Sequence, residues 1–111
     1  MTTLHLTLNK KWFDMIFRGE KREEYREIKM YWATRLTGGF PSTYGIDRIH
    51  PDFKDFDQVE FRNGYSKNAR VMTVECRGIS IGRTKPEWCD EGEVERYVIK
   101  LGKVLFFKNC D

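Results

Sequence analysis

No apolar run in this 111-residue chain approaches the roughly 18 residues that a helix needs to cross a bilayer, so no transmembrane helix is expected. The opening residues, MTTLHLTLNKKW, lack the basic-then-apolar order of a secretory signal, and the expected compartment is the cytoplasm. Cysteine is scarce: Cys76, Cys89 and Cys110 are an odd number, widely spaced, with no CxxC pair among them. Histidine is scarcer, with only His5 and His50. These counts exclude a disulfide framework and leave no set of zinc ligands, so the thiols are expected to be reduced and structural. No metal and no other cofactor is expected. Internal repeats and low-complexity tracts are absent as well.

What is present suits one globular domain spanning residues 1–111. Hydrophobic residues make up 40% and charged residues 33%, enough for a modest core and too apolar for a disordered chain. Aromatics, at 14%, supply bulk to that core. The net charge is +3 and is unevenly spread. Residues 1–36 hold eight Lys/Arg against five Asp/Glu, while the remainder carries twelve of each. An anionic partner is therefore drawn to the N-terminal third.

Leu4, Leu6 and Leu8 alternate with His5 and Thr7, which predicts a half-buried strand with His5 on its polar side. Asn9 is a suitable cap for the helix that follows, and Trp12, Met15 and Ile16 form its apolar stripe, widened by Phe13 and Phe17. Arg18 and Gly19 match a helix stop. Ile28, Tyr31, Trp32, Arg35 and Leu36 recur at helical spacing, predicting a second short helix over 29–36. Residues 38–55 read as a long loop carrying Phe40, Tyr44, Arg48 and His50. The rest is β in pattern. Val59 and Phe61 alternate with polar residues, and Asn63-Gly64 signals a tight turn. In the stretch 69–77, Met72, Val74 and Cys76 share one face and Thr73, Glu75 and Arg77 the other. Gly78 allows a bulge before Ile79 and Ile81. A polar loop over 83–94 has room for one helical turn; Tyr97, Ile99 and Leu101 alternate, and Gly102 bends the chain before a closing apolar strand.

The densest charge lies in RGEKREEYRE, residues 18–27, where only Tyr25 is uncharged after Gly19. A helix would stack like charges, Glu20 on Glu24, Arg22 on Arg26 and Glu23 on Glu27, and these repel. An extended segment over 22–28 sorts them better, with Arg22, Glu24 and Arg26 on one face and Lys21, Glu23, Tyr25 and Glu27 on the other. The plain alternative is an exposed strand whose charges blunt a sheet edge.

The order of strand, helix, strand, helix and then about four strands predicts an α+β fold: a small, mostly antiparallel β-barrel with two or three short helices. Within it, Gly19-Glu20-Lys21-Arg22-Glu23-Glu24-Tyr25-Arg26 resembles the G-x-K-x-x-E-x-R signature of the ASCH domain family. The preceding aromatic helix and the later VMTVECRGI and YVIKLGK segments fall in the family's order. The resemblance implies a stand-alone domain with the family's PUA-like barrel. It also implies a cleft beside the signature strand that takes RNA or a modified nucleoside or nucleotide, lined by Lys21, Glu24 and Arg26 and faced by Glu75. One branch of the family hydrolyses cytidine acetylated on its exocyclic amine with a lysine, a threonine and a glutamate. Lys21 matches the lysine and Glu75 falls where the glutamate would. Glu24 occupies the threonine's place, and Arg22 replaces a second threonine of that branch.

A lysine acting as base or nucleophile must be neutral; Arg22 and Arg26 favour that state, while Glu20, Glu23 and Glu24 oppose it. The same mixture of signs suits base recognition, with Glu accepting from an exocyclic amine and Arg or Lys holding oxygens. Tyr25, Tyr31, Trp32 or Tyr44 would stack the base, although Tyr31 and Trp32 also suit helix packing. The first expectation is thus an RNA- or nucleotide-binding module, with Lys21, Glu24, Tyr25, Arg26, Tyr44 and Arg77 as ligand contacts. The second is a small hydrolase of acylated cytidine or RNA, with Lys21, Glu24 and Glu75 as catalytic candidates. The third is a protein-interaction domain in which Lys21, Glu24 and Arg26 form only a structural ion network.

Overall fold

The computed structural model describes residues 2–37 and 52–110. Strand β1 (Thr3–Leu8) leads into helix α1 (Lys10–Phe17), strand β2 (Glu23–Arg26) and helix α2 (Met30–Leu36). Strands β3 (Gln58–Asn63), β4 (Val71–Arg83) and β5 (Glu95–Lys108) follow, with a 3₁₀ turn at Pro86–Trp88 before β5. The strands form one curled sheet in the order β1-β3-β4-β5-β2, a half-barrel. β1 runs parallel to β3, and the other pairings are antiparallel. Among the described residues no helix is long and apolar enough to cross a membrane. Cys76, Cys89 and Cys110 are all free thiols.

Among the described residues the half-barrel differs from the expected closure in that β1 and β2 remain sheet edges. A side chain crosses the gap: the Arg26 guanidinium donates to Thr7 O at 3.2 Å. The strand count also differs. Gly78 (φ +125°) and Gly102 sit at or near register shifts within β4 and β5, bending these strands without ending them. Three strands, β3, β4 and β5, therefore follow α2 where about four were expected: Gly78 carries the anticipated bulge, and Gly102 bends one strand and does not separate two. Asn63-Gly64 does not make a two-residue hairpin either. Asn63 ends β3, donates its amide to Leu8 O and accepts from Arg70, so the connection widens to residues 64–70.

The core lies inside the curl. The alternating Leu4, Leu6 and Leu8 of β1 are buried against Phe13 and Ile16 of α1, Val59 and Phe61 of β3, and Tyr97, Ile99 and Leu101 of β5. His5 is exposed on the opposite side, its Nδ1 2.9 Å from Glu60 Oε2. On β4 the alternation fails, because Val71, Met72, Thr73 and Val74 are all buried.

Three carboxylates tie distant segments together. Hydrogen bonds from Lys10 and then Arg70 hold the Asp14 carboxyl below its ordinary range. The Thr2 amide does the same for Asp57, and the Lys103 amide for Glu75. A depressed folded-state value means stability that is complete above the ordinary carboxylate range of about 4 and drains away as pH falls through the folded values. Urea unfolding across pH 2–6 should show this acid limb, and Asp14→Asn should flatten it.

Candidate functional site

The charged segment reaches its place through the end of α1. Asn9 Oδ1 accepts from Trp12 N at 3.1 Å and starts the helix. Gly19 (φ +79°) ends it in a Schellman turn, donating its amide to Ile16 O while Glu20 N donates to Met15 O. Lys21 N also donates to Met15 O, at 3.1 Å. Residues 20–22 are therefore folded back beneath the helix and stand outside the strand, which spans only Glu23–Arg26.

That turn changes the predicted pairing. Lys21 does not join Glu23 and Tyr25 on a strand face; its Nζ donates to Glu24 Oε1 at 2.6 Å. Both side chains are buried, at 1% and 5% exposure, so the run is not a solvated edge at this point. Glu24 Oε1 also accepts from Tyr25 N at 3.0 Å, and Oε2 lies 3.2 Å from the Arg26 guanidinium. The Lys21 ammonium lies 4.9 Å from the Trp12 ring centroid and 5.2 Å from that of Tyr25. Lys21, Glu24 and Arg26 thus form one chain of charges sealed by aromatic rings. A carboxylate offers about four acceptor positions; Glu24 accepts two hydrogen bonds, both on Oε1, and its Oε2 faces Arg26 as an ion pair.

Two cavities flank this group. One, of about 320 Å³, is lined by Glu24, Tyr25 and Arg26 of β2, Asn9 and Trp12 at the start of α1, and Trp88 to Glu91 from the 3₁₀ turn and beyond. Arg26 Nε is buried and without a hydrogen-bond partner among the described residues. The Tyr25 hydroxyl donates to Glu23 at 2.7 Å and accepts from Lys85 N at 3.1 Å, which moors the Trp88 segment to β2. Burial pushes this phenol well above its ordinary range.

The second cavity, of about 440 Å³, has an apolar floor that includes Phe17 and Leu101. Among the described residues its charged lining consists of Arg18, Lys21, Arg22, Arg77 and Lys103, with no carboxylate. Glu75 stands just behind it. Its Oε1 accepts from Lys103 N at 2.9 Å and lies 3.4 Å from the Arg77 guanidinium. The β4–β5 register shift around residue 75 frees the Lys103 amide for this side-chain bond. Glu75 lines neither cavity, and its bonded oxygen is committed to groups other than Lys21.

Of the residues singled out from the sequence, Lys21, Glu24, Tyr25 and Arg26 come together. Arg77 joins the basic cavity on the other side of Lys21. Tyr44 lies outside the described residues, as do Phe40, Arg48 and His50. Trp32 packs against the core with its ring 5.1 Å from the Arg26 guanidinium carbon, and exposed Tyr31 pairs with Arg35. Neither lines a described cavity. Sequence reasoning missed Trp88 as a wall residue. Its signal was a lone tryptophan in an otherwise polar loop, with no apolar partners in sequence to bury it. No protein-family model, curated protein or solved structure matches this chain.

Proposed function

We propose that this chain is an RNA- or nucleotide-binding module of ASCH type, a PUA-like barrel whose cleft is built on the G-x-K-x-x-E-x-R segment. The observation that carries this reading is the 320 Å³ hollow in which Trp12, Tyr25 and Trp88 share a wall with Glu24 and Arg26. A planar base meets three needs there: the aromatic side chain of Trp88, the Glu24 carboxylate as acceptor for an exocyclic amine, and guanidinium N–H groups for carbonyl oxygens.

The test is a thermal-stabilisation screen of nucleosides, nucleotides and short RNAs, followed by titration of the hits. Trp88→Ala removes a partly exposed side chain and is expected to keep the fold while weakening binding on the order of tenfold. RNA affinity is expected to fall steeply with salt, and further in Lys21→Ala. Binding indifferent to salt and to both substitutions would overturn the reading.

One observation favours a second reading. The burial of Lys21 and Glu24 is also what a purely structural ion network requires, as in a protein-interaction domain. Arg26→Ala would then cost stability and leave ligand binding unchanged.

A further inference from the structure

The basic cavity is not needed to hold a base, and its chemistry differs from that of the aromatic hollow. Three of its cations, Arg18, Lys21 and Arg22, come from the turn after α1; Arg77 comes from β4 and Lys103 from β5. Elements far apart in sequence thus converge five cations on one concavity whose described wall residues include no carboxylate. Lys21 is neutralised by Glu24, Arg18 faces Glu20 at 2.9 Å, and Arg77 faces Glu75. Arg22 has no ion-pair partner among the described residues, and Lys103 makes no direct ion pair there, its charge acting on Glu75 only from a distance. Concentrating uncompensated positive charge is unfavourable unless an anion offsets it.

The wall is also built to hold its shape. Glu75 anchors Arg77 at the rim and ties the Lys103 backbone to β4. Both side chains pass directly over Gly102, where a Cβ would collide with them. Glu75 therefore acts here as a positioning residue for the cations.

We propose that this cavity is a phosphate site, so that the ligand is a phosphorylated nucleoside or an RNA strand rather than a free nucleoside. The cavities share the Lys21–Glu24 pair, Lys21 lining one and Glu24 the other, with 2.6 Å between their polar atoms. The proposal places the base on the Glu24 side of that pair and its phosphate on the Lys21 side. The nucleoside half of this statement rests on the function proposed above; the phosphate half does not.

The experiment is calorimetric titration of the full chain with the four nucleosides, their 5′-monophosphates, inorganic pyrophosphate and an RNA hexamer. The wild type is compared with the exposed-residue variants Arg22→Glu and Lys103→Glu. Monophosphates are expected to bind at least about tenfold more tightly than the matching nucleosides. Both reversals should erase that advantage and leave nucleoside affinity unchanged. Hexamer binding that exceeds every monophosphate identifies a strand as the phosphate source; equal affinities identify a mononucleotide. Pyrophosphate binding lost in the reversals, with no nucleoside binding at all, supports the phosphate site and sinks the aromatic base site. Nucleosides and monophosphates binding alike, or a phosphate advantage surviving both reversals, overturns the phosphate site and leaves the base site standing. No binding by any of these probes overturns both.

Discussion

Glu24→Ala is expected to lower the free energy of unfolding by about 3–5 kcal/mol, because it removes one partner of a buried ion pair and leaves the other charge uncompensated. Lys21 Nζ, 2.6 Å from Glu24 Oε1, has no second carboxylate among its described partners. The Arg26 guanidinium loses its ion-pair partner in the same step, and Tyr25 N loses its acceptor. In a domain of this size the melting temperature should drop by more than about 10 °C. Most of that cost is the stranded charge, not the loss of a favourable contact. Lys21→Met combined with Glu24→Gln should therefore recover more than half of it, since the buried cation goes and the amide oxygen still accepts from Tyr25 N. Chemical denaturation of the single and double variants measures both effects. A loss below about 1 kcal/mol, the range of exposed ion pairs, would show that this pair does not organise the turn after α1.

Gly102→Ala is expected to cost about 1–3 kcal/mol, the range for overpacking a site that cannot relax. The added methyl would lie 2.9 Å from Glu75 Cβ, which is fixed to the backbone of β4 and cannot swing aside. It would also meet the Glu75 carboxylate and Arg77 Nε, so Glu75 would have to release the Lys103 amide. In a Glu75→Ala background two of these collisions disappear, the carboxylate by truncation and Arg77 by losing its anchor. The two substitutions should then couple, costing less together than the sum of the single costs. Strict additivity in urea unfolding would remove Glu75 as the group that positions Arg77 and the Lys103 backbone.

Much of this architecture could be read from short stretches. The Leu4-Leu6-Leu8 alternation, the Asn9 cap and the Gly19 stop each depend on a few adjacent residues, and β1 and α1 follow their spacing. The second helix begins within one residue of its expected position for the same reason. Gly78 carries the bulge that its sequence suggested, whereas Gly102 was harder to interpret, because a bend within a strand and a break between two strands have the same local signature. Gly78 and Gly102 proved to bend continuous strands. The four-residue run of buried side chains on β4 likewise reflects the curl of the sheet, which shields both faces at that end.

The charged segment divides the same way. Its spacing alone ruled out a helix and brought Glu24 and Arg26 to one face, because side-chain repulsion and strand alternation act between near neighbours. Only the folded chain decided that Lys21 turns inward to Glu24, that Trp88 completes a hollow over them, and that Glu75 serves the cations of β4 and β5. Those outcomes depend on where backbones some sixty residues apart come to lie. Burial and ion pairing act through space, and no local run of residues records the distance.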